Sequence, residues 1–428
     1  MQTHNSMAQP YQSPPAVHLY DLLQEATGGL KGLNKYTPRG YNMSQGIYVI
    51  PEDVAKETSE HARYLISKGI NQNPAVLHTI PNNHVTLTQG AIQSYQDISR
   101  HAKQLGLTQL ETFIHSQQTL QFAHLAGLST PYSTPQQASE IVEASNNKGQ
   151  FLQFLAQQGL KVPRGKRVHS LEQAKAVFIH LLESDFPAAF VKITRSASGD
   201  GTICTHNVEQ LIKVLSEPRF SAALSDGEIY IDGLIPYTQS PSVLFEVSKN
   251  DYKVLGSNYQ ILAKKSESDL VPTVHKGATG PISTHHMSLM HPHIVATVQF
   301  LQNQGYQGQA NVEGLLTQAG DYFTIETNAR QTGATTPSLE SQMMEEKHQR
   351  PNFWYCNNNL EVHPGTSSTQ VLECLEDILY NDKKDWGVII SNFAIISSGK
   401  VQLTIHAPNQ GMLNELMQET HMRLDQLN

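Results

Sequence analysis

The chain has 428 residues, enough for about two to four domains and a large buried core. Thirty Lys and Arg against thirty-eight Asp and Glu leave a net charge of −8 without any basic cluster, which argues against a nucleic-acid surface. A hydrophobic share of 39% with no apolar run of membrane-helix length gives a globular chain without a membrane partner, and Cys204, Cys356 and Cys374 are too scattered for a disulfide framework or a zinc site. The start, MQTHNSMAQPYQSPP, lacks the charged head and apolar centre of a secretory signal, so the cytoplasm is the expected location.

Residues 1–16, rich in Gln, Ser and Pro, read as a disordered tail. Val17–Leu23 starts the ordered chain, and Gly46–Ile50 is a strand ended by Pro51. Pro51-Glu52-Asp53 opens a helix that runs to Lys68 with Gly69 as its stop. Ala75–His78 and Thr112–His115 are expected strands with a helix from Ile92 to Leu105 between them, which makes a small α/β unit up to about residue 140. No motif in that unit has readable chemistry. Another helix, Gln118–Leu125, ends near Gly127.

Lys148 stands at the start of an amphipathic helix over Phe151–Leu160. A cation gains nothing from the helix dipole there, and a bound phosphate would account for it. A helix over Leu171–Leu182 follows. Ala188–Ile193 is then an apolar strand with Lys192 inside it, and it runs into the small, hydroxyl-rich loop Ser196, Ala197, Ser198, Gly199, Asp200, Gly201, Thr202. Backbone N–H groups and hydroxyls of such a loop can close over a triphosphate while the strand lysine meets its charge. The loop is neither a P-loop nor a G-x-G-x-x-G fingerprint. After a helix over Asn207–Leu215, the strand Glu228–Pro236 ends in Asp232, Gly233, Leu234 and Ile235, a possible hinge whose backbone could pair with an adenine edge. Antiparallel strands follow at Ser242–Val247, Lys253–Gly256 and Asn258–Leu262. His285-His286 and His291-x-His293 fall in a Pro- and Ser-containing connection before a helix over His291–Asn303, without further ligands at metal spacing.

Residues 305–337, GYQGQANVEGLLTQAGDYFTIETNARQTGATTP, read as a hairpin: Val312–Leu316, a turn at Gln318–Asp321, and Tyr322–Glu326. Alternation puts Glu326, Asn328 and Arg330 on one side, with Glu313 in the facing strand. Two carboxylates and an amide oxygen suit a hard divalent ion such as Mg²⁺, and the arginine can grip a phosphate oxygen. A surface hairpin with solvated charges is the competing reading.

Taken together, these motifs over roughly residues 140–340 resemble those of the ATP-grasp superfamily of carboxylate-amine ligases. The resemblance matches Lys148 to that family's first lysine, and Lys192 with the Ser196–Thr202 loop to its second lysine and closing loop. It matches Asp232–Ile235 to the adenine hinge and Glu313…Glu326-x-Asn328 to the magnesium site. The step from Glu313 to Glu326 looks like that of D-alanyl-D-alanine ligase, and Arg330 looks like the arginine that biotin carboxylase places after its Asn. Asp232 stands where glutamate is more usual, and the loop has fewer glycines than in many members. The flanks, with GLIPYTQSPSV and NARQTGATTP, resemble the pheganomycin-type peptide ligases.

The resemblance implies an α/β (α+β) architecture in three parts: an N-terminal pre-ATP-grasp domain (17–140), the ATP-grasp domain (141–345) and a small C-terminal α+β domain (346–428). The C-terminal part holds expected strands at Gly387–Ile390 and Val401–Ile405 and a helix over Gly411–Leu424. It implies ATP with two Mg²⁺ ions, Mn²⁺ being an acceptable substitute, and small-molecule carboxylate and amine substrates, amino acids or peptides. A homodimer is compatible with it. The implied reaction activates a carboxylate as an acyl phosphate and passes it to an amine, with Arg330 and Lys192 as the catalytic cations. His275, in a loop that faces the expected substrate, is a further candidate. A small-molecule kinase and a nucleotide-binding regulator without turnover remain alternative readings.

Overall fold

The structure, a computed structural model, describes residues 15–22, 33–82, 84, 86–194, 201–264 and 271–428. Most of the expected tail lies outside these residues, as do Ser196, Ser198 and Gly199 of the expected loop. Among the described residues no helix is long and apolar enough to cross a membrane.

Three sheets organise the chain. The first contains β1 (Ala16–Leu19), β2 (Gly46–Pro51), β3 (Val76–Ile80) and β4 (Leu110–Thr112), all parallel, in the order β3-β2-β1-β4. β1 is buried throughout and β2 nearly so, as expected of central parallel strands covered by helices on both faces. The second is antiparallel, with β5 (Gly165–Val168), β6 (Ala189–Ile193), β7 (Thr202–Thr205) and β8 (Ile229–Gly233) in the order β5-β8-β6-β7. Phe178, Leu181, Leu211 and Phe220, from three helices, cover one of its faces.

The third sheet has eight strands: β9 (Pro241–Val247), β10 (Tyr252–Ala263), β11 (Val274–Gly280), β12 (Gly308–Leu316), β13 (Tyr322–Asn328), β14 (Phe353–Glu361), β15 (Gly387–Asn392) and β16 (Lys400–Ala407). Their order is β13-β12-β9-β10-β11-β14-β16-β15, so the last three strands continue the sheet that carries the hairpin. One apolar core joins Tyr48 and Ile50 of the first sheet to Val388, Ile389, Leu403 and Ile405 at the far end of the third. Mixed α and β layers of this kind match the expected fold class.

Several local readings differ from the structure. The helix expected over Ile92–Leu105 is two helices, Leu87–Gln93 and Tyr95–Gln104, because Ser94 leaves helical geometry between them and its carbonyl accepts from Asp97 N–H. The strand expected at Thr112–His115 is β4, which stops at Thr112, so Phe113–His115 leave the sheet at its C-terminal edge. The two strands expected between Lys253 and Leu262 are one, β10, with a register shift between Val254 and Gly256. The histidine-containing connection is helical: Ser283 caps a helix over Thr284–Asn303 that accommodates Pro292 internally, so His285, His286, His291 and His293 are all helix residues. The expected helix began only at His291; the core, with Met290, Ile294, Val298 and Leu301 buried, holds one helix that also takes in the residues before it.

His18 and His61 are fully buried beside Tyr48 and Phe393, and each pairs through Nε2 with a backbone carbonyl, Gln45 and Ile390 respectively. Burial pushes both imidazoles down to about 4, although those bonds pull the other way. The unfolded chain therefore takes up protons first as the pH falls through 6.5, and stability is lost progressively between about 6.5 and 4, by about 3 kcal/mol for each histidine. Urea midpoints measured from pH 7 to pH 4.5 are expected to fall, and His61→Gln is expected to flatten that slope. An unchanged slope in the variant would show that His61 is not held neutral.

Candidate functional site

The helix over Lys148–Gln157 places the first candidate. Asn147 caps it by accepting from Gln150 N–H at 3.1 Å, while Phe151, Leu152 and Leu155 are fully buried in the core beneath. Each such side chain contributes about 2 kcal/mol of burial, so the helix start is firmly anchored. Two hydrogen bonds fix what it faces: Lys148 N–H donates to Thr194 O just past β6 (3.3 Å), and the Asn146 side-chain Oδ1 accepts from Ala329 N–H just after β13 (2.9 Å). Lys148 thus stands between the second and third sheets. Its ammonium meets Glu326 Oε2 at 2.9 Å.

Glu326 lies directly opposite Glu313 in the β12–β13 register, where the pairing shifts by a bulge between Glu313 and Gly314. Asn311 Nδ2 (2.7 Å) and Asn328 Nδ2 (3.1 Å) both donate to Glu313 Oε1, and Gln260 Nε2 donates to Oε2 at 2.6 Å. Arg330 donates to Asn328 Oδ1. The expected grouping of Glu313, Glu326, Asn328 and Arg330 is therefore present as one cluster. Gln260 and Asn311 were not found from sequence: an amide two residues before Glu313 on the same strand face is a signal, but Gln260 comes from a strand two places away in the sheet.

Electrostatics separates the two carboxylates. Burial, and then the charge of Glu326, push the Glu313 carboxyl up, while the Asn311 and Gln260 amides pull it back. Burial acts on Glu326 in the same upward sense, but Lys148, Arg330 and Lys192 outweigh it and hold that carboxyl well below the usual range. Like charges facing each other in a half-buried site favour a cation between them. Two carboxylate oxygens and an amide oxygen are the hard donors that Mg²⁺ takes, and Mn²⁺ accepts the same set. The residues present fit such an ion. Among the described residues no third carboxylate, His or Cys joins them.

The second lysine arises from sheet register. Lys192 pairs with Tyr230 across β6–β8, and Asp232, two residues on, shares its face. Lys192 Nζ meets Asp232 Oδ2 at 2.6 Å, with Asp232 fully buried and its Oδ1 without a hydrogen bond. Burial pushes the Asp232 carboxyl up, against the pull of Lys192 and Lys148. A Cβ on residue 165 would lie 2.6 Å from Asp232 Cβ, so Gly165 is what lets β5 approach β8 there. The expected hinge looks different in detail. Asp232 turns inward to Lys192, Gly233 N–H donates to Arg164 O and Leu234 N–H to Ala188 O, each at 2.9 Å, and Leu234 and Ile235 are buried. Gly201, at φ +91°, and Thr202, opposite Lys192, close the loop on its described side. His275, expected in a loop, is a residue of β11 paired with Leu262; it lies within 3.8 Å of where a Gly333 Cβ would be, and burial pushes its imidazole down to about 4.

No protein-family model matches the chain, and no curated protein matches its sequence. Solved structures do match. Biotin carboxylase from Campylobacter jejuni, in its βγ-ATP complex, superposes with a TM-score of 0.59 at 12% identity, covering 96% of this chain and 94% of that one. The L-amino acid ligase from Bacillus licheniformis gives 0.54 at 11%, covering 96% and 97%, and the ADP complex of the N5-carboxyaminoimidazole ribonucleotide synthetase purK gives 0.54 at 13%, covering 90% and 97%. The chain has the ATP-grasp fold. Within that fold, Lys148, Lys192, Glu313, Glu326, Asn328 and Arg330 gather where the second sheet faces the third. A biotin carboxylase domain from Hydrogenobacter thermophilus with the same fold was solved as a dimer with MgADP, at 10% identity and a TM-score of 0.59.

Proposed function

We propose that the protein is an ATP-dependent ligase that joins a carboxylate to an amine through an acyl phosphate, releasing ADP and phosphate. In this reading it is a ligase of the pheganomycin type, with amino acids or peptides as substrates and the division at about residues 140 and 345 described above. The observation that carries this reading is the Lys148–Glu326 pair beside Glu313 and the Lys192–Asp232 pair, in one cleft of an ATP-grasp fold. Cytoplasmic location and a homodimer complete the proposal.

Both lysines rest on carboxylates, so the cleft is largely neutralised before any nucleotide enters. Phosphate oxygens offer each lysine an alternative anionic partner, and exchange would leave Glu326 to face Glu313 alone. Glu313, Glu326 and Asn328 would then hold two Mg²⁺ ions, which neutralise the charge on the β- and γ-phosphates. Lys148 and Lys192 would bind the α- and β-phosphates. Arg330, tethered to Asn328 Oδ1, is placed to hold the phosphate of the activated acid and the oxyanion formed when the amine attacks.

ADP and phosphate release, measured with ATP and Mg²⁺ across amino acids and short peptides taken singly and in pairs, is expected to require a pair. Mass spectrometry should show a product lighter than its two parts by one water. ADP formed with a phosphorylated hydroxyl product and no free phosphate would replace the ligase by a kinase. ATP binding without turnover across the panel would leave a regulator.

A further inference from the structure

A cavity of about 410 Å³ opens beside the proposed site, in the size range of small-molecule pockets. Its wall joins the segment that leaves β4 to the near ends of β9 and β12, and includes Glu111, His115, Glu246, Tyr306 and Arg330. Arg330 belongs to both places: it lines this cavity and bonds Asn328 of the carboxylate cluster. A ligand here lies against the group expected to hold the activated acid.

Arg330 is the one Lys or Arg among the described residues lining the cavity, against the two carboxylates Glu111 and Glu246. Glu111 and Glu246 repel each other, and neither side chain makes a hydrogen bond or ion pair with a described residue. Lys253, opposite Glu246 across β9–β10, offsets part of one charge from the side. His115 leaves Nδ1 without a hydrogen bond, and burial keeps its ring neutral, so it does not repel a cation. Tyr306 is buried, and its hydroxyl is already spent on Gln309 O. Burial, and then Glu246, push the Glu111 carboxyl up to about 7, and burial pushes Glu246 up as well; as anions these two wall groups are costly, and either a proton or a bound cation relieves them.

We propose that this cavity is the amine subsite, that it takes an ammonium-bearing acceptor of amino-acid to dipeptide size, and that Glu111 and Glu246 hold its cationic nitrogen. The place of this subsite in the reaction rests on the ligase reading, whereas its preference for a cation rests on the cavity alone.

The test is calorimetric titration of the full chain with 1,4-diaminobutane as the probe and succinate as the opposite-charge control, in the wild type, in Glu246→Gln, and in the double variant Glu111→Gln with Glu246→Gln. The diamine is expected to bind the wild type and to lose at least about tenfold in affinity in the double variant, with succinate binding neither. Both substitutions relieve a repulsion, so melting temperatures should not fall; if the double variant does not fold, the single variant carries the comparison. Equal diamine binding in wild type and variant, or none in the wild type, overturns the proposal even if paired substrates are ligated. Diamine binding lost in the variant, with no ligation anywhere in the substrate panel, upholds the cation subsite and removes the ligase reading instead.

Discussion

Glu326→Gln is expected to lower ATP turnover by about a thousandfold or more, equivalent to about 4 kcal/mol of transition-state stabilisation, while the protein stays folded. Glutamine keeps the size of the side chain and one oxygen but removes the charge that faces Glu313 and pairs with Lys148 at 2.9 Å. Two effects on stability oppose each other: Lys148 loses its ion pair, and Glu313 loses a like charge beside it. The first outweighs the second, because Lys148 is buried and Arg330 and Lys192 also favour the Glu326 charge, so a loss of folding stability of about 1–3 kcal/mol is expected. ADP formation under saturating ATP and Mg²⁺, read together with a thermal melt, separates the catalytic loss from misfolding. ADP formation near the wild-type rate would sink the metal assignment at Glu326.

Lys192→Met should behave in the opposite way, with a large cost to stability as well as to nucleotide binding. Asp232 is fully buried and Lys192 is its charge partner at 2.6 Å, so the substitution strands a carboxylate in the protein interior. Breaking one side of a buried pair costs about 3–5 kcal/mol, whereas replacing both partners with neutral groups is often tolerated. The double variant Lys192→Met with Asp232→Asn is therefore expected to recover most of the lost denaturant midpoint but none of the ATP affinity. That split distinguishes a phosphate-binding lysine from one that only neutralises Asp232. If the single variant is as stable as the wild type, Asp232 is protonated in the folded protein, the direction in which burial pushes it.

The sequence determined the parts of the site that depend on local periodicity. Strand alternation alone put Glu326 and Asn328 on one face of β13, and turn residues between Leu316 and Tyr322 brought Glu313 into the facing strand. The start of the Lys148 helix and the apolar strand around Lys192 were legible for the same reason: hydrophobic spacing and capping residues act over a few positions. Helix boundaries failed where packing extends a helix beyond its local signal, as before His291, where the helix starts at Thr284 and Met290 is buried with Ile294 in the core.

Only the tertiary structure decided which distant groups meet. Lys148 reaches Glu326 because a backbone bond to Thr194 and the Asn146 side-chain bond to Ala329 pin its helix between two sheets. Gln260 reaches Glu313 because β9 and β12 are neighbours and β10 follows β9 in the sheet. Asp232, read as a hinge from its place at the end of a strand, is a buried counter-ion because the β6–β8 register sets it on the face of Lys192. The cavity with Glu111 and Glu246 had no sequence signal at all. Its carboxylates are far apart along the chain, and their charges interact only once the end of β4 is docked against β9 and β12. Strand pairing order and sheet docking minimise the free energy of the whole molecule, and no window of residues contains that information.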